Sequence, residues 1–310
     1  EFWPNTKFSS PAAELSPTLR AGQALGGFLA RQGRVDEAID IYRGYVARDG
    51  SSLLAGGVKR LMETGEPPRG YENLGDGVGA ILFDFASVLQ SDLGIELTLV
   101  LVQIATYANA DFPLAQLLLA DLLADRDQFA DAERAYKQIA DNSDIALART
   151  IRLARKYDEA GDTARGIRLL QQAAREYPTE FAIHGQLGDF YRISERFGEA
   201  IRSYNRAIDM LPEVVESSWP LFYARGISYE RSDRWPLAEA DFKKALELRP
   251  DQPFVLNYLG YSWADQGVRL QEAEDMIRRA VNLRPNDGFI VDSLGWVLYR
   301  LGRYEEAVVY

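Results

Sequence analysis

Side chains that carry catalysis are scarce in this sequence. Its 310 residues include one histidine, His184, and no cysteine, so the chain cannot form a disulfide, a zinc–thiolate site or a histidine–cysteine pair. His184 falls within a predicted helix, and we interpret it as a partly buried packing residue. The phosphate-binding motif G-x-x-x-x-G-K-[ST], the zinc motif H-E-x-x-H and the nucleophile turn G-x-S-x-G are all absent from the sequence.

Two further patterns lack the partners that their chemistry requires. Gly75, Gly77 and Gly79 form a G-x-G-x-G string, but no predicted strand precedes it, so we interpret it as a loop. Acidic pairs such as Glu272 and Asp275 lie on predicted outward helix faces, where carboxylates are usually solvated. We therefore expect no enzyme activity, no cofactor and no metal site in this chain.

The elements that would position any site are helices, as residues 181–212 illustrate. Leu187, Gly188 and Tyr191 lie three or four residues apart and so share one face of a helix. A second helix repeats this spacing with Phe197, Ala200, Tyr204 and Ala207. Pro212 ends that helix because proline has no backbone donor. The stretch therefore predicts one helical hairpin.

The same order of small and large apolar residues recurs along the chain at nearly constant spacing. This pattern resembles the tetratricopeptide repeat, a helical hairpin of about 34 residues. The resemblance implies an all-α fold, a right-handed superhelical solenoid of antiparallel helix pairs. The predicted units, of which the last is incomplete, begin near Gly79, Pro113, Leu147, Phe181, Trp219, Pro253 and Gly288.

Three predicted segments precede this array of residues 79–310. Residues 1–17 are expected to form an arm or the remnant of an earlier unit, and residues 18–50 a first repeat-like unit. Residues 51–78 are expected to form an extra helix followed by a loop rich in glycine and proline. The chain is thus predicted to contain one repeat array with an insertion near its start.

The hairpin over residues 79–110 is apolar on nearly all sides, which is typical of buried helices. The favoured explanation is that residues 51–77 cover it, and the alternative is that it forms a self-association surface. The chain also stops inside the second helix of its last unit. We therefore expect further residues or a second molecule to cover an apolar patch at that end, which consists of Leu294, Leu298, Leu301, Ala307 and Val308.

Charge and hydropathy narrow the class of partner. The net charge is −11, and the sequence pI is about 4.8. Nucleic acid is therefore not expected as a partner, because phosphate binding needs a basic surface. A basic or neutral protein is the expected partner. No apolar run is long enough to span a membrane. Membrane association is therefore expected only through an anchor outside these residues. We expect the native N-terminus to lie outside these residues, so the sequence alone leaves the compartment unknown.

The family resemblance also implies where a partner would bind. In tetratricopeptide proteins the first helix of each pair lines the concave wall of the superhelix. The corresponding positions of the last three units are mostly aromatic, and the candidates are Tyr223, Phe254, Asn257, Tyr261, Phe289, Asp292, Trp296 and Tyr299. Such a wall suits a protein or peptide partner, since aromatic rings give large contact area and Asn257 and Asp292 can pair with an extended backbone. The alternative is that these residues pack against further helices.

The predicted function is a non-catalytic scaffold or adaptor. The final repeats look like those of large bacterial envelope tetratricopeptide proteins, some of which are outer-membrane lipoproteins that serve as adaptors for a periplasmic carboxyl-terminal processing protease. That resemblance favours a periplasmic or outer-membrane-associated protein that recruits substrates to a protease. The alternatives are a self-assembling structural scaffold, which would be a homo-oligomer, and the interaction arm of a larger enzyme. Some family members hold a peptide carboxylate with a Lys–Asn pair on the first helix of a repeat, and the corresponding helix positions of this chain carry no such pair.

Overall fold

The protein is all-α in the part of the chain that the structure describes. The computed structural model describes residues 17–49, 54–66, 73–88 and 90–310, and within them it has seventeen α-helices and no β-strand. The predicted all-α fold class is confirmed. Residues 1–16 of the predicted N-terminal arm and residues 67–72 of the predicted loop lie outside the described residues.

The helices follow one another with short connections. They are α1 (Pro17–Arg31), α2 (Val35–Asp49), α3 (Ala55–Thr64), α4 (Leu74–Val88), α5 (Gln90–Ala108), α6 (Pro113–Ala124), α7 (Phe129–Gln138), α8 (Ala146–Glu159), α9 (Thr163–Glu176), α10 (Phe181–Ile193), α11 (Phe197–Asp209), α12 (Trp219–Glu230), α13 (Trp235–Leu248), α14 (Pro253–Gln266), α15 (Leu270–Leu283), α16 (Gly288–Arg300) and α17 (Tyr304–Ala307). None of the described helices is both long and apolar enough to cross a membrane.

The described chain falls into two compact units, one that ends at Phe190 and one that comprises Tyr191–Tyr310. We call them the upstream and the downstream unit. The predicted division into an arm, a first unit, an insertion and a continuous array stays a prediction.

The upstream unit is built from antiparallel pairs that share one core. In it α1 packs on α2, α4 on α5, α6 on α7 and α8 on α9. The side chains of Phe83, Val102, Leu117 and Tyr136 are fully buried in this core. Because each pair leaves an apolar side open, the next pair has to cover it, as expected of stacked repeats.

Helix α3 has no hairpin partner and docks on α2 and α8 instead. The Arg60 guanidinium lies 2.7 Å from the Asp144 carboxylate, which is almost fully buried. The backbone N–H of Gly57 also donates to the carbonyl of Asp144 at 3.2 Å. The described part of the insertion therefore does not cover the hairpin formed by α4 and α5, and the explanation favoured from the sequence is wrong for these residues.

The interpretation of the glycine string as a loop is also wrong. Gly75, Gly77 and Gly79 lie inside α4, which begins at Leu74. A Cβ atom on Gly75 would be 2.5 Å from the carbonyl oxygen of Ala108, and one on Gly79 would be 2.9 Å from that of Ala105. Gly75 and Gly79, spaced four apart, are therefore contact residues that let the backbones of α4 and α5 approach closely, whereas a Cβ atom on Gly77 would meet open space.

The downstream unit uses the same kind of contact. In it α12 packs on α13, α14 on α15, and α16 on both α14 and α15. A Cβ atom on Gly226 of α12 would be 2.7 Å from the ring of Phe242 on α13, which is fully buried. Because Gly226 has no side chain, the Phe242 ring occupies the space next to the backbone of α12.

A polar network crosses the same pair of helices. The guanidinium of Arg225 donates two hydrogen bonds of 2.7 Å to the Asp241 carboxylate. It donates a third, of 2.8 Å, to the side-chain oxygen of Asn205. Burial raises the pKa of Asp241, while the bonds from Arg225 oppose that rise. The network joins α11, α12 and α13 through one cation.

The last helices close the downstream unit more fully than the sequence suggests. Leu294 and Leu298 of α16 are 1% and 0% exposed, because they pack into the core that contains Leu259 and Trp263. The expected patch is therefore wrong for these two leucines, and Leu301 and Ala307 are partly buried, whereas Val308 is 84% exposed. The other exposed apolar side chains at this end are those of Tyr304, Val309 and Tyr310.

Candidate peptide-binding face

Seven of the eight predicted site residues lie on two helices that pack against each other. Helix α14 carries three of them and α16 carries four, at spacings of three or four residues that place each set on one helical side. We call this set the α14/α16 face. It consists of Phe254, Asn257, Tyr261, Phe289, Asp292, Trp296 and Tyr299.

The eighth residue, Tyr223 on α12, does not contribute to an accessible surface. Its side chain is 4% exposed, and its ring centroid lies 6.0 Å from that of Phe242 and 5.9 Å from that of Tyr258. Burial raises the pKa of its hydroxyl. Tyr223 is a core residue of the downstream unit, as the packing alternative predicts for some of these aromatic side chains.

The accessible part of the face is aromatic. Phe289 and Tyr299 are about half exposed, at 49% and 53%, and Phe254, Tyr261 and Trp296 are partly buried. The rings of Trp296 and Tyr299 are stacked, with centroids 5.6 Å apart and planes 17° apart. These side chains offer flat apolar area that is held in place by neighbouring rings.

Tyr304 extends this row and was not among the predicted residues. It begins α17, it is 60% exposed, and its ring centroid lies 5.3 Å from that of Tyr299. The sequence placed Tyr304 in a second helix, which faces away from a concave wall in this family. Its aromatic side chain is the one sequence feature that could have indicated that Tyr304 belongs to this row.

Two polar groups of the face have no hydrogen-bond partner among the residues that the structure describes. The side chain of Asn257 is 1% exposed, and neither its amide nitrogen nor its amide oxygen forms a hydrogen bond. The indole nitrogen of Trp296 is also buried without a hydrogen bond. An unpaired buried polar group costs about 1–3 kcal/mol. Both groups lie on the same pair of helices, α14 and α16.

Acidic side chains dominate the charge beside Tyr261. Burial raises the pKa of the Tyr261 hydroxyl, and the nearby carboxylates of Asp265 and Asp292 raise it further. Both aspartates are exposed. The guanidinium of Arg284 lies 4.8 Å from the ring centroid of Phe254, but it is also bonded to Asp287 at 3.1 Å. The guanidinium of Arg300 also lies 5.6 Å from the ring centroid of Trp296 and donates a hydrogen bond of 2.6 Å to the backbone carbonyl of Asp265. The carboxylates of Asp265 and Asp292 are the charges that act on the Tyr261 hydroxyl, so the immediate surroundings of Tyr261 favour a cationic ligand, while the ring of Trp296 already carries a cation of the protein.

The residues first considered for chemistry lie in different units of the described chain. His184 lies on α10 and is 5% exposed, in agreement with a packing role. Glu272 and Asp275 are both exposed on α15, and that helix carries no histidine, serine or cysteine with which they could form an acid–base or nucleophilic set.

The sequence did not indicate one further concavity, a cleft of about 520 Å³ among α7, α8 and α9 of the upstream unit. Its floor includes Leu153 and Tyr157, and four cations line it. Three of these cations already bind carboxylates: Lys137 and Arg165 contact Glu133, and Arg149 contacts Asp141. The cleft has the volume of a small-ligand site, but most of its positive charge is balanced within the protein.

Comparison with family models gives two matches. Residues 103–218 match a model described as a tetratricopeptide repeat-like domain, and residues 223–288 match a model described as a tetratricopeptide repeat. Among curated proteins, the chain is 28% identical over 194 residues to the TPR repeat-containing protein PA4667 of Pseudomonas aeruginosa. That alignment covers 62% of this chain and 32% of the relative, so the chain spans about a third of the relative's length.

Solved structures show the same fold at low sequence identity. The APC/C hetero-tetramer Cut9–Hcn1 aligns with a TM-score of 0.61 and 12% identity, over 94% of this chain and 57% of the other. A tetratricopeptide repeat protein from Parabacteroides merdae aligns with a TM-score of 0.54 and 11% identity, over 91% of this chain and 100% of the other. At such identities the likeness establishes the fold alone.

Proposed function

Because this chain carries tetratricopeptide repeats, a fold that generally mediates protein–protein interaction, we propose that it is a non-catalytic adaptor that binds an extended segment of a partner protein on the α14/α16 face. The observation that carries the proposal is the pairing of an accessible aromatic row with buried polar groups that have no partner in the fold. Aromatic area supplies affinity, and the polar groups supply register.

The first supporting contact is apolar. Phe289 and Tyr299 are about half exposed, and Tyr299 is held by stacking on Trp296. Ordered aromatic rings lose little rotamer freedom when a partner packs on them, and binding hot spots concentrate in such side chains. The row therefore provides the anchor for apolar side chains of the partner.

The second supporting contact is polar. The side chain of Asn257 has one donor group and one acceptor, the same pair that a peptide unit presents. Its amide is buried, so a bound segment reaches it only after neighbouring side chains change rotamer, which is common at protein interfaces. Pairing would satisfy a buried amide that costs free energy in the unbound protein.

The charge of the face defines the kind of segment. Asp265 and Asp292 are exposed beside Tyr261, and the whole chain has a net charge of −11. A segment with lysine or arginine among apolar residues would meet carboxylates and aromatic faces together. We therefore propose a basic, extended partner segment.

The experiment compares variants for binding of extended basic peptides from a library, measured by fluorescence anisotropy. Tyr261→Ala combined with Trp296→Ala should weaken binding at least about tenfold, which corresponds to about 1.4 kcal/mol. Tyr107→Ala, which removes a 92% exposed ring from the upstream unit, serves as the matched control and should bind normally. Equal affinity of the double variant and the control, with unchanged helicity, would move the site elsewhere. Loss of helicity in the double variant would favour the packing role.

We also propose a more specific role, the recruitment of substrates to a periplasmic protease. It is supported by the resemblance of the final repeats to envelope adaptor proteins and by the match to a bacterial tetratricopeptide protein. A periplasmic carboxyl-terminal processing protease should then cleave a basic-tailed substrate faster when this chain is added. Asp292→Asn should reduce the acceleration. Identical cleavage rates with and without the chain would exclude this role and leave peptide binding untouched.

A further inference from the structure

Helix α4 exposes a continuous apolar stripe. Five large apolar side chains, each between 40% and 84% exposed, recur along it at spacings of three or four residues, and they are Leu74, Val78, Ile81, Phe85 and Val88. This spacing places them on one side of the helix. The buried residues Phe83 and Ala86 lie on the other side, in the core of the upstream unit.

Helix α5, which packs on α4, exposes a second apolar stripe. Its exposed apolar side chains are 46% to 92% exposed, and they are Leu97, Val100, Ile104 and Tyr107. Val102 and Ala105, which lie between them in sequence, are fully buried. We call the nine exposed side chains of the two helices the α4/α5 apolar face.

This face carries little charge. Among the exposed side chains of residues 73–88 and 94–108, only Asp84 and Glu96 carry a charge at neutral pH. Glu96 accepts a hydrogen bond of 2.8 Å from Arg126, which holds it toward α6. Covering the face would therefore remove few charges from water, and desolvation would cost little.

The described parts of the chain leave the face open. Helix α3 packs on α2 and α8. Helix α6 packs on α5 and supplies the core around Phe83 and Val102, on the buried side. The face is thus the stacking side of a helical pair on which no described pair stacks.

The exposed area is large for a monomer. Nine side chains expose roughly 100 Å² each, or about 900 Å² together, against about 300–600 Å² for the largest apolar patch of a typical monomer. A stable interface of standard size takes about 800 Å² from each partner. One face of this chain therefore supplies the area that one partner contributes to a dimer.

We propose that the α4/α5 apolar face binds the same face of a second copy of this chain, related by a two-fold axis. The surface that best fits an open helical pair is another open helical pair, and a second copy presents one with the same apolar character. A two-fold contact closes on itself, so the assembly stops at a dimer. The proposal does not depend on peptide binding by the α14/α16 face.

The oligomeric state tests this proposal. Sedimentation velocity over a range of concentrations should show a species of twice the 34.8 kDa chain mass. Ile81→Glu combined with Phe85→Glu places charges on two exposed positions of α4 and should halve that mass, with far-UV circular dichroism unchanged. Leu237→Glu on α13, where the side chain is 46% exposed, is the matched control and should stay dimeric.

Cross-linking tests the geometry. Because the chain has no cysteine, Ile81→Cys gives a single thiol per chain, and mild oxidation should join two chains by a disulfide. Leu237→Cys should not cross-link. A wild-type chain that sediments as a monomer at every concentration would overturn the proposal. So would a dimer that persists in the double glutamate variant, and open-ended oligomers would overturn the two-fold contact. Peptide binding should be the same in the double glutamate variant and the wild type.

Discussion

The unpaired amide of Asn257 predicts a variant that is more stable and less functional than the wild type. We expect Asn257→Leu to raise the free energy of unfolding and to weaken peptide binding. Leucine has the same four-atom branched side chain as asparagine, so it replaces two buried polar atoms by two methyl groups with the branching kept, although the methyl groups are larger and the strain of fitting them subtracts from the gain. Stability and binding should therefore change in opposite directions.

The magnitude follows from the burial of the side chain. Asn257 is 1% exposed, and both of its polar atoms lack hydrogen bonds. Removing a buried polar group that has no partner should return about 1–3 kcal/mol. A change of this size is large compared with the total stability of a domain, and it would raise the midpoint of unfolding visibly.

Asn205 supplies the matched control. It lies in the same compact unit, but its side-chain oxygen accepts a hydrogen bond of 2.8 Å from Arg225. Asn205→Leu removes that acceptor and should lower the free energy of unfolding by about 1–3 kcal/mol, since bonds to charged groups are the stronger ones. The two substitutions have the same chemistry and opposite expected signs.

Urea titration followed by far-UV circular dichroism measures both effects, and fluorescence anisotropy with the basic peptides measures binding. A loss of stability in Asn257→Leu as large as that in Asn205→Leu would refute the reasoning, because the amide would then have a favourable partner. Stabilisation with unchanged binding would separate the amide from the site and leave only the aromatic row as the peptide surface.

Three further predictions concern the packing and the charges of single residues. Ala238→Leu at a fully buried position of α13 should overpack the contact with α12 and lower the free energy of unfolding by about 1–3 kcal/mol in urea titrations. The control is Ala240→Leu, at an exposed position of the same helix, which should change that free energy by less than about 0.5 kcal/mol. Gly226→Ala should lower the free energy of unfolding by roughly 1–2 kcal/mol although alanine favours helix, since its Cβ would meet the Phe242 ring at 2.7 Å. In thermal melts, adding Phe242→Leu should restore part of the melting temperature that Gly226→Ala loses. If the two substitutions lower stability by the sum of their separate effects, the clash is not the cause. Burial alone raises the pKa of the half-buried Glu180 carboxyl above its ordinary value of 4.5, so this group stabilises the fold when protonated and that contribution is lost as the pH rises through the raised pKa. Glu180→Gln should therefore be more stable than wild type at neutral pH, and the difference should fade below about pH 4.5 in unfolding curves; a constant difference at all pH values would rule out the carboxyl as its cause.

The repeat fold was readable from the sequence because its determinants are local. The order of glycine, alanine and aromatic residues within one hairpin sets how its two helices meet, as the contact between Gly226 and Phe242 illustrates. The string from Gly75 to Gly79 was wrongly predicted to be a loop because the contact that explains it is not local. Small residues that serve close helix packing have the composition of a loop, and only the neighbouring helix α5 distinguishes the two.

The candidate site was predictable in position but not in accessibility. Helical spacing placed Phe289 and Tyr299 on one side of α16, and both are exposed. The same argument included Tyr223, whose ring is enclosed by Phe242 and Tyr258 from two other helices. The missing hydrogen bonds of Asn257 likewise depend on tertiary surroundings. Burial and hydrogen bonding arise from contacts distant in sequence, which a pattern within one helix does not contain.

The docking of α3 has a consequence for how the upstream unit folds. In an ideal repeat array each element touches only its neighbours, so the ends can fray one repeat at a time. The ion pair between Arg60 and Asp144 joins positions that are separated by four helices, α4 to α7, and so closes a long loop of chain. Forming that contact costs loop entropy early, and losing it releases α3 from α8. Helices α3 to α8 should therefore unfold as one cooperative block, with amide hydrogens in α4 to α7 exchanging together instead of in sequence from one end.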